Sequence, residues 1–221
     1  MTTLHALIEE WPNECGVYVH ELPGVFVGDE SLAATLEVLP DTIEAHLSWL
    51  ASHGFDVRPY AGADVEVSEE RVAIEGRRGP LFEADRSIPS PDDIDQALSV
   101  AALARRDLID LYRSVSDVRR DRSPATGGWS IAEHLRHIAE AEAYYADTLV
   151  ESPLDGLPHD PIQAMHVSAE HADAILRTLS GDDHLRVARR DGEEWTTTKV
   201  LRRMTGHLRE HYPWVRDIAR S

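Results

Sequence analysis

From Ser31 onward, Leu32, Leu36, Leu39, Ile43, Leu47 and Leu50 recur at spacings of three or four, the signature of one buried helix face. Pro40 falls inside this run and predicts a kink or a split. Gly54 is its stop signal. Upstream, Gly16-Val17-Tyr18-Val19-His20 reads as a strand that stops at the turn Leu22-Pro23-Gly24. Val25-Phe26-Val27 resumes strand character until Gly28-Asp29 breaks it. Downstream, Val65–Val67 and Val72–Ile74 suggest a strand pair around Ser68-Glu69-Glu70-Arg71. Residues 1–88 therefore read as a small α/β unit of ββαβ type, its last strand doubled into a pair.

The pattern changes at the Ser/Pro segment Ser87–Pro91, which sets a predicted boundary between domains 1–88 and 89–221. Ser90, Pro91, Asp92 and Asp93 suit the start of a helix: a hydroxyl cap, a preset φ and acidic groups for the helix dipole. Its stripe runs through Ile94, Leu98, Ala101, Ala102, Leu108, Leu111 and Tyr112 to about Val118. A second helix opens with the capping box Ser130 to Glu133 and runs to about Val150. A third spans roughly Pro161 to Leu179. After a connector with a hairpin signal at Asp191-Gly192, a fourth opens at Trp195-Thr196 and runs nearly to the end, with a bend expected at Pro213. Long helices with apolar stripes predict a four-helix bundle, so the expected class is α+β. Trp129-Ser130 and Trp195-Thr196 both place a Trp before a hydroxyl cap, which suggests that the second and fourth helices are pseudo-equivalent.

Composition narrows the functions. The chain has 221 residues and a net charge of −18. Residues 1–88 hold 17 acidic and 5 basic residues, so the acidity is concentrated there. Such a surface repels phosphate backbones and anionic membranes, and makes nucleic-acid binding the weakest class of function. The longest apolar run is far short of the roughly 18 residues of a membrane span. The N-terminus has no apolar leader, so a cytoplasmic protein is expected. Cys15, the only cysteine, cannot build an internal disulfide or a thiolate cluster.

The candidate chemistry lies in the histidines. His207-Leu208-Arg209-Glu210-His211 puts two imidazoles one turn apart on one helix face, a spacing that can hold one metal ion. That face is the apolar one, where an imidazole needs a partner for each nitrogen. The same pattern also arises from hydrogen-bonded core histidines. On the second helix, His134 and His137 are both in reach of one side. Periodicity favours His134 as a third ligand, because it lies nearer the centre of the apolar stripe. Glu140, Glu142 and Glu210 are candidates to orient a ligand imidazole, or are solvated charges. Tyr144, Tyr145, Trp129 and Trp214 could line a pocket or fill the core. His166 and His171 read as surface residues, His159 and His184 lie near loops, and His20, His46 and His53 receive no role.

Two resemblances bear on this pattern. The strand before Leu22-Pro23-Gly24, then Gly28-Asp29, then an Ala- and Leu-rich helix ending at Gly54, resembles the HicB-like small domain. Val25 stands where that family often has Cys. The resemblance implies a unit that binds a partner protein or nucleic acid, and the local acidity argues against the latter. Residues from about 90 resemble the DinB-like superfamily of helical metal proteins, through Trp129-Ser130-Ile131-Ala132-Glu133-His134-Leu135-Arg136-His137 and Trp195-Thr196 followed by His207 and His211. Members usually place the ligand His eight residues after the Trp. The resemblance thus implies His137 with His207 and His211, against the periodicity that favours His134. It implies a divalent cofactor, Zn or Ni, with an open position, a small-molecule substrate, and a homodimer as a common assembly. Thiol S-transferases that use bacillithiol or mycothiol, and a maleylpyruvate isomerase, belong to it, so a low-molecular-weight thiol cosubstrate is implied in turn. The expected function is a metal-dependent transferase or hydrolase. The alternative is a non-catalytic binding protein with an inert metal or none.

Overall fold

A small sheet comes first and a mostly helical region follows, an α+β arrangement. The computed structural model describes residues 2–72, 79–124 and 127–220. Strand β1 (Thr3–Trp11) pairs antiparallel with β2 (Glu14–Val19), which pairs antiparallel with β3 (Phe26–Asp29). Helix α1 (Leu32–Ser52) then returns the chain so that β4 (Asp64–Val72) runs parallel to β1, giving the order β3-β2-β1-β4.

β1 has no counterpart in the sequence reading. It lies between β2 and β4 and is buried on both faces. Leu4, Ala6 and Ile8 pack with Leu39 and Ile43 of α1, while Leu7 packs with Tyr18 and Phe82 on the other side. Burial on both faces erases the alternation that marks a half-exposed strand. The expected hairpin around Ser68-Glu69-Glu70-Arg71 is instead part of one strand, and Ala73 and Ile74 lie outside the described residues. The pairing with β1 shifts between Ala6 and Leu7, so Ser68 is the extra residue of a bulge, its hydroxyl 3.3 Å from the Ala6 carbonyl. The turn-like residues are absorbed there. Pro40 does not split α1. It is exposed, so water can serve the carbonyl its missing N–H leaves bare, while Leu39 and Ile43 stay packed.

The second region contains α2 (Pro91–Ser114), the short α3 (Asp117–Arg120), α4 (Ile131–Asp147), α5 (Pro161–Thr178), the short α6 (Gly181–His184), the strands β5 (Ala188–Arg190) and β6 (Glu193–Trp195), and α7 (Thr197–Arg220). The long helices share one apolar core, to which Leu108, Ile138, Met165, Leu176, Val200 and Leu208 contribute. Ser90 and Ser130 each close a capping box, with Asp93 and Glu133. α2 stops at Ser114, short of the expected Val118. β5 and β6 meet at Asp191 and Gly192, whose φ values of 53° and 80° suit the tight turn. α7 runs unbroken through Pro213. Among the described residues no helix is long and apolar enough to cross a membrane.

α7 also docks on the sheet. Gly206 lies under Tyr18, and a Cβ there would come within 2.9 Å of its ring. Arg203 donates to Glu9 Oε1 at 3.0 Å and to the Tyr18 hydroxyl at 2.8 Å. Arg202 grips Asp85 through Nε and Nη2, at 2.9 and 2.8 Å. The single lysine, Lys199, is fully buried and donates to Glu193, the Gly79 carbonyl and the Glu194 carbonyl. Burial pulls its pKa down to about 8, against the pull of Glu193. Arg203 thus joins the N-terminal sheet to the helix that carries the histidine pair, while Arg202 and Lys199 tie that helix to Asp85, Gly79 and β6.

Candidate metal centre

α4 and α7 lie side by side, and their histidines face each other. Ser130 sets the start of α4, accepting from the Glu133 N–H at 3.3 Å while Glu133 accepts from the Ser130 N–H at 2.7 Å. That start places His134 and His137 one turn apart. Thr196 plays the same part for α7, its hydroxyl 3.2 Å from the Lys199 N–H, and it also donates to the Asp85 carbonyl.

Three ring nitrogens converge. His207 Nε2 lies 3.2 Å from His137 Nε2 and 3.0 Å from His211 Nε2, and ligand atoms of the three residues all fall within 4.8 Å of one another. One imidazole nitrogen offers a single hydrogen or a single lone pair, so His207 Nε2 cannot form two good hydrogen bonds with these neighbours. A cation between the rings would engage all three lone pairs. The spacing suits one: two nitrogens each about 2.0–2.1 Å from a tetrahedral zinc are separated by about 3.4 Å.

The electrostatics agree. Burial, then the neighbouring imidazoles, pull His207 down to about 2 and His211 down to about 3. Both are therefore neutral near pH 7, the state in which an imidazole can ligate. His134 is buried and lowered for the same reasons, burial first and His137 next. Its Nδ1 stands 2.9 Å from His211 Nδ1, on the side of that ring turned away from His207. Of the two candidates on α4, His137 faces the converging nitrogens and His134 backs one of them.

Aromatic rings wall the cluster. The Trp129 ring lies 4.5 Å from that of His137 and stacks parallel to His211 at 6.4 Å. Trp214 stands 5.0 Å from His211, and Tyr145 stands 6.1 Å from His207. Trp129 and Trp214 are both exposed, so they belong to the site's rim rather than to the core. Two grooves beside Trp214 are lined by its neighbour Glu210, and the three histidines line neither.

The carboxylates separate. Glu142 is neither an orienting group nor a solvated charge. It is buried, paired with Arg105 and accepting from Ser168 at 2.6 Å, inside the helical core. Glu140 is exposed. Glu210 lines the two grooves, and burial lifts it to about 7 despite Arg203. Other histidines have separate partners. His171 is half-buried rather than on the surface and meets Asp147 at 2.6 Å, while His184 lies 3.1 Å from the Thr197 hydroxyl. His46 is buried beneath Arg209 and pulled down to about 3 by burial, then by that cation. Arg203, one turn before His207, is the neighbour that sequence reasoning missed, because its partner Glu9 sits in the unexpected strand β1.

Three neutral imidazoles suit a borderline divalent ion such as Zn or Ni and leave a coordination position open. A family model described as the DinB superfamily matches residues 101–215, a span that includes all three converging histidines. No curated protein and no solved structure matches the chain.

Proposed function

The chain belongs to the DinB superfamily, and from that footing we propose that it is a divalent-metal-dependent enzyme whose ion is held by His137, His207 and His211. The observation that carries this reading is the convergence of three ring nitrogens at 3.0 and 3.2 Å, which hydrogen bonding among the rings cannot satisfy. A bound ion supplies Lewis acidity at an open position that a water or a thiolate can occupy. His134 holds the ring of His211 from behind and fixes which nitrogen faces inward. Trp129 shields the rings of His137 and His211 from water. We read the four long helices as the DinB-type bundle, and the reaction as transfer or hydrolysis of a thiol-linked group on a small cytoplasmic substrate. For residues 1–88 the HicB-like reading is kept in one respect, as a unit that meets a ligand, because β1–β3 face α7 across a groove walled by Trp214, the neighbour of His211.

The test is a His207→Ala/His211→Ala protein beside the parent, both exposed to zinc and then dialysed. The reading predicts about one equivalent of metal in the parent and none in the variant, with thiol-dependent transfer or hydrolysis lost in parallel. A variant that keeps full metal content and activity overturns it.

A further inference from the structure

A groove of about 710 Å³ lies between the turn end of the sheet and α7, and it adjoins the histidines through Trp214. One wall carries Trp11, Glu14 and Glu30, and the other carries Arg203, Glu210 and Trp214. The Trp214 ring is at once a wall of this groove and a neighbour of His211, 5.0 Å from its ring. Arg203 and Glu210 precede and follow His207 by about one turn, so the groove runs along the same face of α7 as His207.

Charge sets what the groove admits. Its sheet wall carries Glu14 and Glu30 with Asp29 at the end of β3, all exposed and available to a ligand. Its one cation, Arg203, is already committed to Glu9 and to the Tyr18 hydroxyl. The Glu210 carboxyl group accepts no hydrogen bond from any described residue although the residue is half-buried. An anionic ligand would meet the exposed carboxylates of Glu14, Asp29 and Glu30 on the sheet wall. An amine would meet acceptors on both walls, with indole faces at Trp11 and Trp214 for the cation or for apolar carbons beside it.

We infer that this groove, which none of the three histidines lines, is the outer part of the substrate channel of the histidine centre, reached past Trp214, and that it selects ligands carrying an amine, the N-terminal sheet serving as the specificity wall. The inference rests on the metal reading above and goes beyond it in naming the substrate class and the residues that choose it. Glu14 and Glu30 are the selecting residues, and Trp214 guides the reactive end toward His211.

The experiment uses the full chain loaded with Co²⁺, whose visible spectrum reports thiolate ligation without any turnover. Two probes are titrated at low ionic strength: aminohexanethiol and mercaptohexanoate, of similar reach and opposite charge. The expected result is a spectral change with both and a Kd for the amine lower by roughly tenfold or more, as two to three facing charges at partly solvated distances imply. In Glu14→Gln/Glu30→Gln, at exposed positions that fold does not depend on, the preference should fall severalfold, and salt should reduce it in the parent. Equal affinities, or a preference that the double variant leaves unchanged, overturn the inference. A preference for the carboxylate overturns it as well, and places the ligand in the adjoining groove lined by Arg209 and Arg216. Cobalt bound with no response to either thiol removes the channel and leaves the metal reading standing. No cobalt uptake removes the metal reading itself.

Discussion

Deleting one side of the Glu9–Arg203 pair should unbalance the seam between sheet and helix in a particular order. Glu9 is fully buried, while the Arg203 side chain keeps 16% exposure. Glu9 Oε1 accepts from Arg203, and Oε2 already has no partner. Arg203→Met strands a fully buried carboxylate, a loss of the kind that costs about 3–5 kcal/mol. Glu9→Met strands a cation that still has the Tyr18 hydroxyl and a path to water, so its cost should be nearer about 2 kcal/mol. With about 2–4 °C per kcal/mol in a chain of this size, Arg203→Met should lower Tm by about 10 °C. The double variant strands neither charge and should be more stable than Arg203→Met, which requires a coupling larger than the cost of Glu9→Met alone, about 3 kcal/mol. Urea denaturation of metal-free protein, followed by circular dichroism and tryptophan fluorescence together, reads the single costs and the coupling without linkage to bound metal, and thermal unfolding of the same samples reads Tm. Additive single costs, or a Glu9→Met more damaging than Arg203→Met, would refute the reasoning.

Other expectations follow from single features. Gly24 holds φ at +94°, and a Cβ there would meet Arg209, His46 and Val100 at 3.1 Å each, whereas Gly54 at +85° has open space. Gly24→Ala should therefore cost about 1–2 kcal/mol more than Gly54→Ala, whose cost is backbone strain of about 1 kcal/mol, as compared by denaturant midpoints. His46 is held down to about 3 from 6.5, so the unfolded chain takes up its proton first and the stabilising contribution, full above pH 6.5, is lost as pH falls below it. Between pH 6.5 and 5.5 the parent should lose up to about 1.4 kcal/mol more than His46→Leu, and parallel stability profiles would contradict this. Ser130→Ala removes the cap that starts α4 and should cost about 1 kcal/mol with the helix content kept, which thermal unfolding by circular dichroism can check.

Much of the helical region was legible because local signals agreed with the packing. Ser90, Ser130 and the turn at Asp191-Gly192 each state a cap or a turn in a few adjacent residues, and each is found there. β1 was hidden for the opposite reason: Leu4, Ala6, Leu7 and Ile8 are buried on two faces by partners distant in sequence, so no period of two survives. The β4 bulge depends on a register shift against β1 and could not be read from Ser68-Glu69-Glu70-Arg71 alone. At the histidines, the apolar stripe correctly indicated the deeper burial of His134. Burial and convergence are different properties, however. The ring that meets His207 is the half-buried one on the flank, His137. Nothing in the sequence pattern placed Glu9 against Arg203, since that contact spans almost the whole chain.

The account turns on which imidazoles hold metal. The most direct measurement is elemental analysis of zinc-loaded, dialysed protein in three forms: parent, His137→Ala and His134→Ala. The parent should carry about one equivalent, His137→Ala almost none, and His134→Ala a full equivalent bound about 10–100-fold more weakly in a chelator competition, as loss of a supporting partner implies. Full metal retention in His137→Ala, or a parent that takes up no metal, would contradict the assignment.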